Sequence, residues 1–318
     1  MKQLFFFLLI SLSTFGQNFE KVDAKVTLYP KFSKAEDLAN QINNDFTTDL
    51  EKARAAFFWL ANNINYNLKE YYSPRQRRYS FRYSSEEEKN QKLQAIKDQL
   101  VVDTFKNKLG VCEEYAQSFK KVCDLLNIES EVIKGYVRND AREIGNMPNR
   151  TNHAYNAVKI DDKWLILDAT WAAGYENNGK WKRNFNPYFF DIPKDKIFKT
   201  HYPEEKIWVL RFGRMSLEEF YNQPIYSYHF LTSDASLLSP KNGIISTFNQ
   251  KNIEIEISNL EATKTIFYVI EGNRYFQKPV ITKKEETTLL TITNPNKSGN
   301  LILYINNKDA LHFKLVKN

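Results

Sequence analysis

Only two cysteines and four histidines occur among the 318 residues, and one of the thiols stands where a nucleophile could act. Cys112 follows Gly110 and Val111 at the start of a helical pattern that runs to about Leu126, with Tyr115, Phe119, Val122 and Leu126 on its apolar stripe. In the first turn of a helix, unpaired N–H groups and the helix dipole favour thiolate over thiol, and Gly110 keeps side-chain bulk away from the approach. Glu113 and Glu114 suit the dipole but oppose a thiolate, so a working site needs them turned away from the sulfur. A thiol nucleophile also needs a base and a group that orients the base. His153 opens one strand-like segment, His153 to Ile160, and Asp168 lies near the end of another, Trp164 to Thr170, with Asp161-Asp162 between them as a two-residue hairpin turn. In that register Ile160 faces Lys163 and His153 faces Thr170. Asp168 is then diagonal to His153 on the same face, about 7–8 Å away at Cα, a gap two side chains can close. Asp168 would fix the imidazole tautomer, His153 would shuttle the proton, and Cys112 would attack an amide carbonyl to give a thioester. The Cys112 backbone N–H is one oxyanion donor, and the second is not identified from sequence.

The second thiol, Cys123, lies eleven residues further along the same helical pattern. At about 1.5 Å rise per residue that is roughly 16 Å, far beyond the ~7 Å limit for a disulfide, so the two cannot pair while the helix stands. Cys123 is read as a packed core thiol. So few Cys and His leave little material for a zinc cage, no acidic loop has the alternating spacing of a calcium site, and the site residues are assigned with no metal and no cofactor.

The elements that must hold these groups are a mixture of helices and strands. Residues 34–65 carry helical spacing, with Phe57, Leu60, Ala61 and Ile64 on one face. A basic and aromatic stretch from Tyr71 to Tyr83, with Arg75, Arg77, Arg78 and Arg82, reads as a solvated loop and is followed by a polar segment at 84–98. Glu131 to Val137 reads as a further strand, and Asn139 to Asn152 as a loop. From Lys180 to Leu210 the chain is rich in aromatics and Pro without a period, as a segment that wraps the core. Beyond Gly243 the pattern changes to short strands separated by Asn, Gly and Pro, including Ile253 to Ile257, Tyr275 to Ile281, Leu301 to Ile305 and Leu311 to Val316, which suggests a β-sandwich of six or seven strands. No catalytic cluster is read there, and His312 is taken as an ordinary strand residue.

Three words around the candidate triad, Gly-Val-Cys-Glu-Glu-Tyr-Ala at 110–116, Asn-His-Ala-Tyr-Asn-Ala-Val at 152–158 and Trp-Leu-Ile-Leu-Asp-Ala-Thr-Trp at 164–171, resemble the core blocks of the transglutaminase-like superfamily. The resemblance covers roughly residues 45–175 and puts Cys112, His153 and Asp168 on the family's catalytic positions. Ala-Ala-Phe-Phe-Trp-Leu-Ala-Asn-Asn-Ile-Asn-Tyr at 55–66, and Asn-Pro-Tyr-Phe-Phe through Thr200-His201-Tyr202-Pro203 to Trp208, are similar to the kyphoscoliosis-peptidase branch. It implies an α+β fold: a papain-like core with the nucleophile helix packed on an antiparallel sheet, followed by a C-terminal β-sandwich. The expected organisation is a signal peptide at 1–16, a lead segment at 17–44, the transglutaminase-like domain with its wrapping segment at 45–210, a connector at 211–242 and an Ig-like sandwich at 243–318. Tyr155 and Trp171 are assigned to the substrate cleft, with a core role the stronger reading for Trp171. His201 is read as a structural member of the wrapping segment rather than a second base. Glu114 stands where many relatives carry Gly, and Tyr155 where Trp is frequent, so access to the thiol could differ from that in the animal enzymes.

The resemblance implies a cysteine peptidase or acyltransferase acting on protein or peptide amides, hydrolysis slightly ahead of amine transfer. The alternative is a non-catalytic binding module at the cell surface that uses the same fold. Lys2, the apolar run Leu4 to Leu12, and Thr14-Phe15-Gly16 have the layout of a secretory leader too short to span a bilayer, with no cysteine after it to take a lipid, so the mature chain is expected in the periplasm or outside the cell. A formal charge of +7 selects no partner by itself. An exported chain meets little nucleic acid, and no integral membrane segment is expected, which leaves a protein substrate and a cell-surface or envelope partner.

Overall fold

The computed structural model describes residues 19–74, 80–261 and 263–317. The leader at 1–16 and Arg75, Arg77 and Arg78 of the basic stretch lie outside the described residues. The fold is α+β, and its buried apolar residues form two main clusters, one drawn from Val22 to Trp208 and one from Tyr226 to Leu315.

The first cluster fills the space between helices and a four-stranded antiparallel sheet. The sheet order is Lys163–Leu167, His153–Ile160, Ser130–Val137, His201–Pro203. Against it pack the helix Asp49–Asn63, closed at its start by a reciprocal Thr48–Glu51 capping box, and the helix Cys112–Leu125. Asn156 fastens that second helix to the sheet by donating its side-chain amide to the Ala116 carbonyl at 3.0 Å. The lead segment is not loose: helices Glu20–Thr27 and Ala35–Asp45 bury Val22, Val26, Leu38 and Ile42 in the same core.

One segment left without an element is placed here, and one expectation is corrected. The polar segment 84–98 is the first half of a 22-residue helix, Glu86–Asn107. Ser85 caps it and three glutamates fill its first turn, but only Leu100, Val101, Thr104 and Phe105 are buried, so its early turns carry no apolar stripe to read. The second hairpin strand also ends sooner than expected. Asp161 and Asp162 do form the turn with positive φ, and Ile160 does face Lys163, but the ladder stops at Asn156 opposite Leu167. Asp168 leaves the sheet and caps a short helix, Ala169–Ala173.

The second cluster lies between two sheets. One has the order Ser236–Ser239, Asn252–Ser258, Thr287–Thr293, Val280–Lys284. The other runs Ile244–Ser246, Lys308–Val316, Gly299–Ile305, Ile266–Ile270, with Ile225–Tyr226 added on Lys308–Val316. Alternate residues such as Ile253, Ile255 and Ile257 point into the core, as the period-2 pattern requires. Residues 211–242, expected as a connector, supply strands to both sheets. The Asn139–Asn152 loop leans on this half, with Ala141 and Ile144 packed on Ile225 and Ile244. Beside them the buried Arg138 guanidinium donates to the Tyr221 and Gln223 carbonyls.

The edge strand His201–Pro203 approaches its neighbour unusually closely at Gly135. A Cβ there would lie 2.3 Å from the Tyr202 carbonyl oxygen and 3.2 Å from Pro203 Cα, both backbone atoms that cannot swing aside. Gly135→Ala is therefore expected to push the edge strand off the sheet and cost about 2 kcal/mol, as overpacking does. Urea unfolding measures it, and an unchanged midpoint would show that the strand is not held this tightly.

Candidate active site

The convergence of the site starts from one strand. Ser130–Val137 is flanked on one side by the strand of His153, which pairs with Gly135, and on the other by the strand of His201, which pairs with Val137. Two histidines far apart in the chain are thereby set on neighbouring rungs of one sheet, their ring centroids 5.7 Å apart. Asp168, released from the sheet at the helix start, reaches both. His153 Nε2 lies 2.6 Å and His201 Nε2 3.0 Å from the same oxygen, Asp168 Oδ2, while Oδ1 accepts the backbone N–H groups of Thr170 and Trp171 at 2.8 and 3.0 Å. The carboxylate is 1% exposed and takes four hydrogen bonds.

These contacts decide the charges. Burial opposes the Asp168 charge, but the adjoining His153 and His201 outweigh it and hold the carboxyl well below its ordinary value. An ionised carboxylate only accepts, so both Nε2 atoms carry their protons. For His153, burial favours the neutral ring, yet the Asp168 charge and hydrogen bond, joined by the hydrogen bond and charge of Cys112, lift it to about 10. With Nε2 committed to Asp168, Nδ1 is the nitrogen left for the Cys112 thiol. His201 goes the other way: burial, assisted by the charge of His153, lowers it despite Asp168, and the ring is neutral. Its Nδ1 lies 2.8 Å from Thr200 Oγ1 and must accept the hydroxyl proton.

Cys112 opens its helix and is half-buried; Cys123 is fully buried, and burial pushes its thiol up to about 12. Both cysteines are unpaired with one another. Glu114 accepts the Val111 N–H at 3.1 Å, and Glu113 accepts from Gln117 at 2.9 Å, so both acids are engaged by their own helix. Gly110 has a reason of its own, since a Cβ there would meet Glu114 Cβ at 2.6 Å. Tyr66 pairs in register with Gly110 and stacks near Tyr71 and Trp181, with centroids 5.6 and 5.5 Å away. Burial, then the charge of Cys112, raises the phenol of Tyr66, and burial, then the charges of Glu143 and Cys112, raises that of Tyr71, so both stay protonated.

The structure thus gathers Cys112, His153 and Asp168, and adds His201, Tyr66, Tyr71 and Trp181, none of which sequence reasoning had placed there. The signal for His201 was faint: a Thr-His-Tyr-Pro word in a segment without periodicity. Trp171 is half-buried and lies over both imidazoles, 6.0 Å from His153 and 4.9 Å from His201. The cleft assignment of Tyr155 is corrected: it is 1% exposed and packs edge-on behind His201, so it offers a substrate nothing. Among the described residues His153, Asp168 and His201 also form a group whose ligand atoms lie within 4.8 Å of one another. Both Nε2 atoms spend their protons on the same Oδ2, however, so the arrangement is a hydrogen-bonded cluster and not a set of free lone pairs aimed at an ion.

Residues 36–169 match the family model described as the transglutaminase-like superfamily. Kyphoscoliosis peptidase of Homo sapiens is 26% identical over 244 residues, covering 76% of this chain and 34% of the relative. Hillarin of Drosophila melanogaster is 26% identical over 220 residues, covering 61% of this chain and 24% of its own length. A solved structure described as a TGase is 17% identical and covers 57% of this chain and 41% of that chain, with a TM-score of 0.28. The chain spans about a third or less of the length of these curated relatives.

The His153–Asp168 pair gives stability a pH signature. His153 is raised above 6.5, so its contribution is complete below 6.5 and is lost as pH rises through about 10. Asp168 is depressed from 3.8, so its contribution is present above 3.8 and is lost as pH falls below it. The difference in unfolding free energy between the natural protein and Asp168→Asn should be widest between these limits and should narrow towards alkaline pH. Urea titrations across pH test it; a difference that ignores pH would refute the assigned charges.

Proposed function

We propose that the chain, whose residues 36–169 match the transglutaminase-like superfamily model, is an exported cysteine enzyme that acts on protein or peptide amides. The observation that carries this reading is the bond between His153 and Asp168, with Cys112 charge-coupled to the same imidazole. Cys112 thiolate attacks the amide carbonyl carbon, and the oxyanion is held by the Cys112 backbone N–H, with the protonated Tyr66 hydroxyl a candidate second donor. His153 passes its proton to the leaving nitrogen as the C–N bond breaks, which leaves a thioester on Cys112. Water then attacks the thioester, His153 takes its proton, and the carboxylic acid is released; a primary amine in place of water would give a new amide. Hydrolysis is favoured, supported by the similarity to a protein named a peptidase. The leader pattern at 1–16 supports export.

The phenols of Tyr66 and Tyr71, which the charge of Cys112 reaches, and Trp181 beside Tyr66 offer aromatic surface to a peptide substrate. Incubating the mature protein with a peptide library, with and without a primary amine, and reading the products by mass will separate hydrolysis from transfer. Cys112→Ala should fold as the natural protein does and lose turnover by at least about a thousandfold. Unchanged turnover in that variant, or no product from any peptide, would leave the binding-module reading in its place.

A further inference from the structure

His201 lies outside the three-residue mechanism just described, yet it is among the most completely enclosed polar groups of the protein. It is 0% exposed, and the rings of Tyr155, Trp171 and Phe189 surround it at 4.9, 4.9 and 6.4 Å. The titratable groups that face it are Asp168, His153 and Tyr155, and its own neighbour Thr200 closes the other ring nitrogen. A strand packed hard against Gly135 delivers it. An imidazole whose only task is to fill space is costly here, because a buried polar ring must find a partner for each nitrogen.

We infer that His201 is a positioning residue for the candidate triad, one that clamps the Asp168 carboxylate through Nε2–H and is itself held in that tautomer by the Thr200 hydroxyl. The proton order is forced from the carboxylate outward. Asp168 accepts, so His201 Nε2 donates; the ring is neutral, so Nδ1 accepts; Thr200 therefore donates. Two backbone N–H groups fix Oδ1, His201 fixes one direction on Oδ2, and the direction left open on Oδ2 points at His153. The buried charge is thus solvated by three neutral donors before His153 contributes a fourth. The consequence is kinetic. A carboxylate that relied on His153 alone would hold the imidazole proton more tightly and make His153 a poorer acid towards a leaving amine.

The inference rests on the acyl-transfer reading, and its test must fail separately from that reading. The probe is iodoacetamide, whose reaction with Cys112 followed against pH reports the thiolate directly while Cys123 stays buried. If Cys112 and His153 form an ion pair, the rate rises twice: once as the pair forms, and again when His153 loses its proton and the thiolate becomes more basic and more nucleophilic. In His201→Phe the donor is gone and the upper rise should move about half a unit to one unit higher in pH, because the carboxylate potential at His153 becomes more negative. His201→Gln, whose amide can donate from nearly the same place, should return the rise towards its natural position. Thr200→Val, close to isosteric, should move it in the same direction as Phe but less, since it weakens the donor without removing it. With a substrate in hand, turnover of His201→Phe should fall roughly three- to tenfold with KM held. A folded His201→Phe protein whose profile overlays the natural one overturns the inference, as does a Gln variant that behaves like Phe. Should His201→Phe not fold, an unshifted Thr200→Val profile overturns it instead. A natural protein that shows a single rise at the position of an ordinary thiol sinks the acyl-transfer reading, which is a different failure.

Discussion

A carboxylate buried to 1% exposure is the constraint around which the rest of this half of the molecule is arranged. An isolated charge at that depth would be neutralised by protonation or would unfold its surroundings. Asp168 avoids both because four donors meet it: two backbone N–H groups of the helix it caps and two imidazoles from different strands. Each donor imposes a structural demand. The helix must begin at residue 169, the hairpin must end at Leu167, and the sheet must carry histidines on both sides of Ser130–Val137. The charge then sets the protonation of His153, and His153 in turn couples to Cys112.

Segments distant from the chemistry serve this arrangement. The parallel rung between Tyr66 and Gly110 ties the end of the Asp49–Asn63 helix to the chain just before the Cys112–Leu125 helix. Arg183, on a small hairpin after the Asp168 helix, donates to the Ile64 carbonyl at 2.8 Å and holds the same junction from the other side. The loop that leads into His153 is braced on the sandwich through Ile144 and Ile225, and Lys314 reaches the Ile144 carbonyl at 3.2 Å. The sandwich therefore braces the loop before the His153 strand, and none of its described residues enters the candidate site.

Much of this was legible in the sequence because it depends on local pattern. The Cys112–Leu125 helix has a sharp apolar stripe over Tyr115, Phe119 and Val122, and the hairpin has a two-residue turn whose chemistry fixes its register. The sandwich strands alternate cleanly. What was not legible depends on tertiary contact. The Glu86–Asn107 helix keeps its first three turns in water, supported by Ser85 and by the Glu86–Lys89 and Glu88–Lys92 pairs, so it offers caps and charges where an apolar period was sought. Asp168 reads as a strand residue because Leu-Ile-Leu precedes it, and only the pull of two backbone donors turns it into a cap. His201 sits in an aperiodic stretch, and nothing local announces that its strand pairs with residues 135–137. Tyr155 alternates like its neighbours, but a sheet covered on both faces buries both sets of side chains.

The order in which the chain is made bears on the edge strand His201–Pro203. It is the last strand of its sheet in chain order, and it pairs with a strand synthesised more than sixty residues earlier. Until it docks, Asp168 lacks one of its donors and the histidine pair has not formed. A growing polypeptide consequently carries Cys112 without the finished electrostatic setting around Asp168, which is complete only when the longest-range strand pairing of that half has formed.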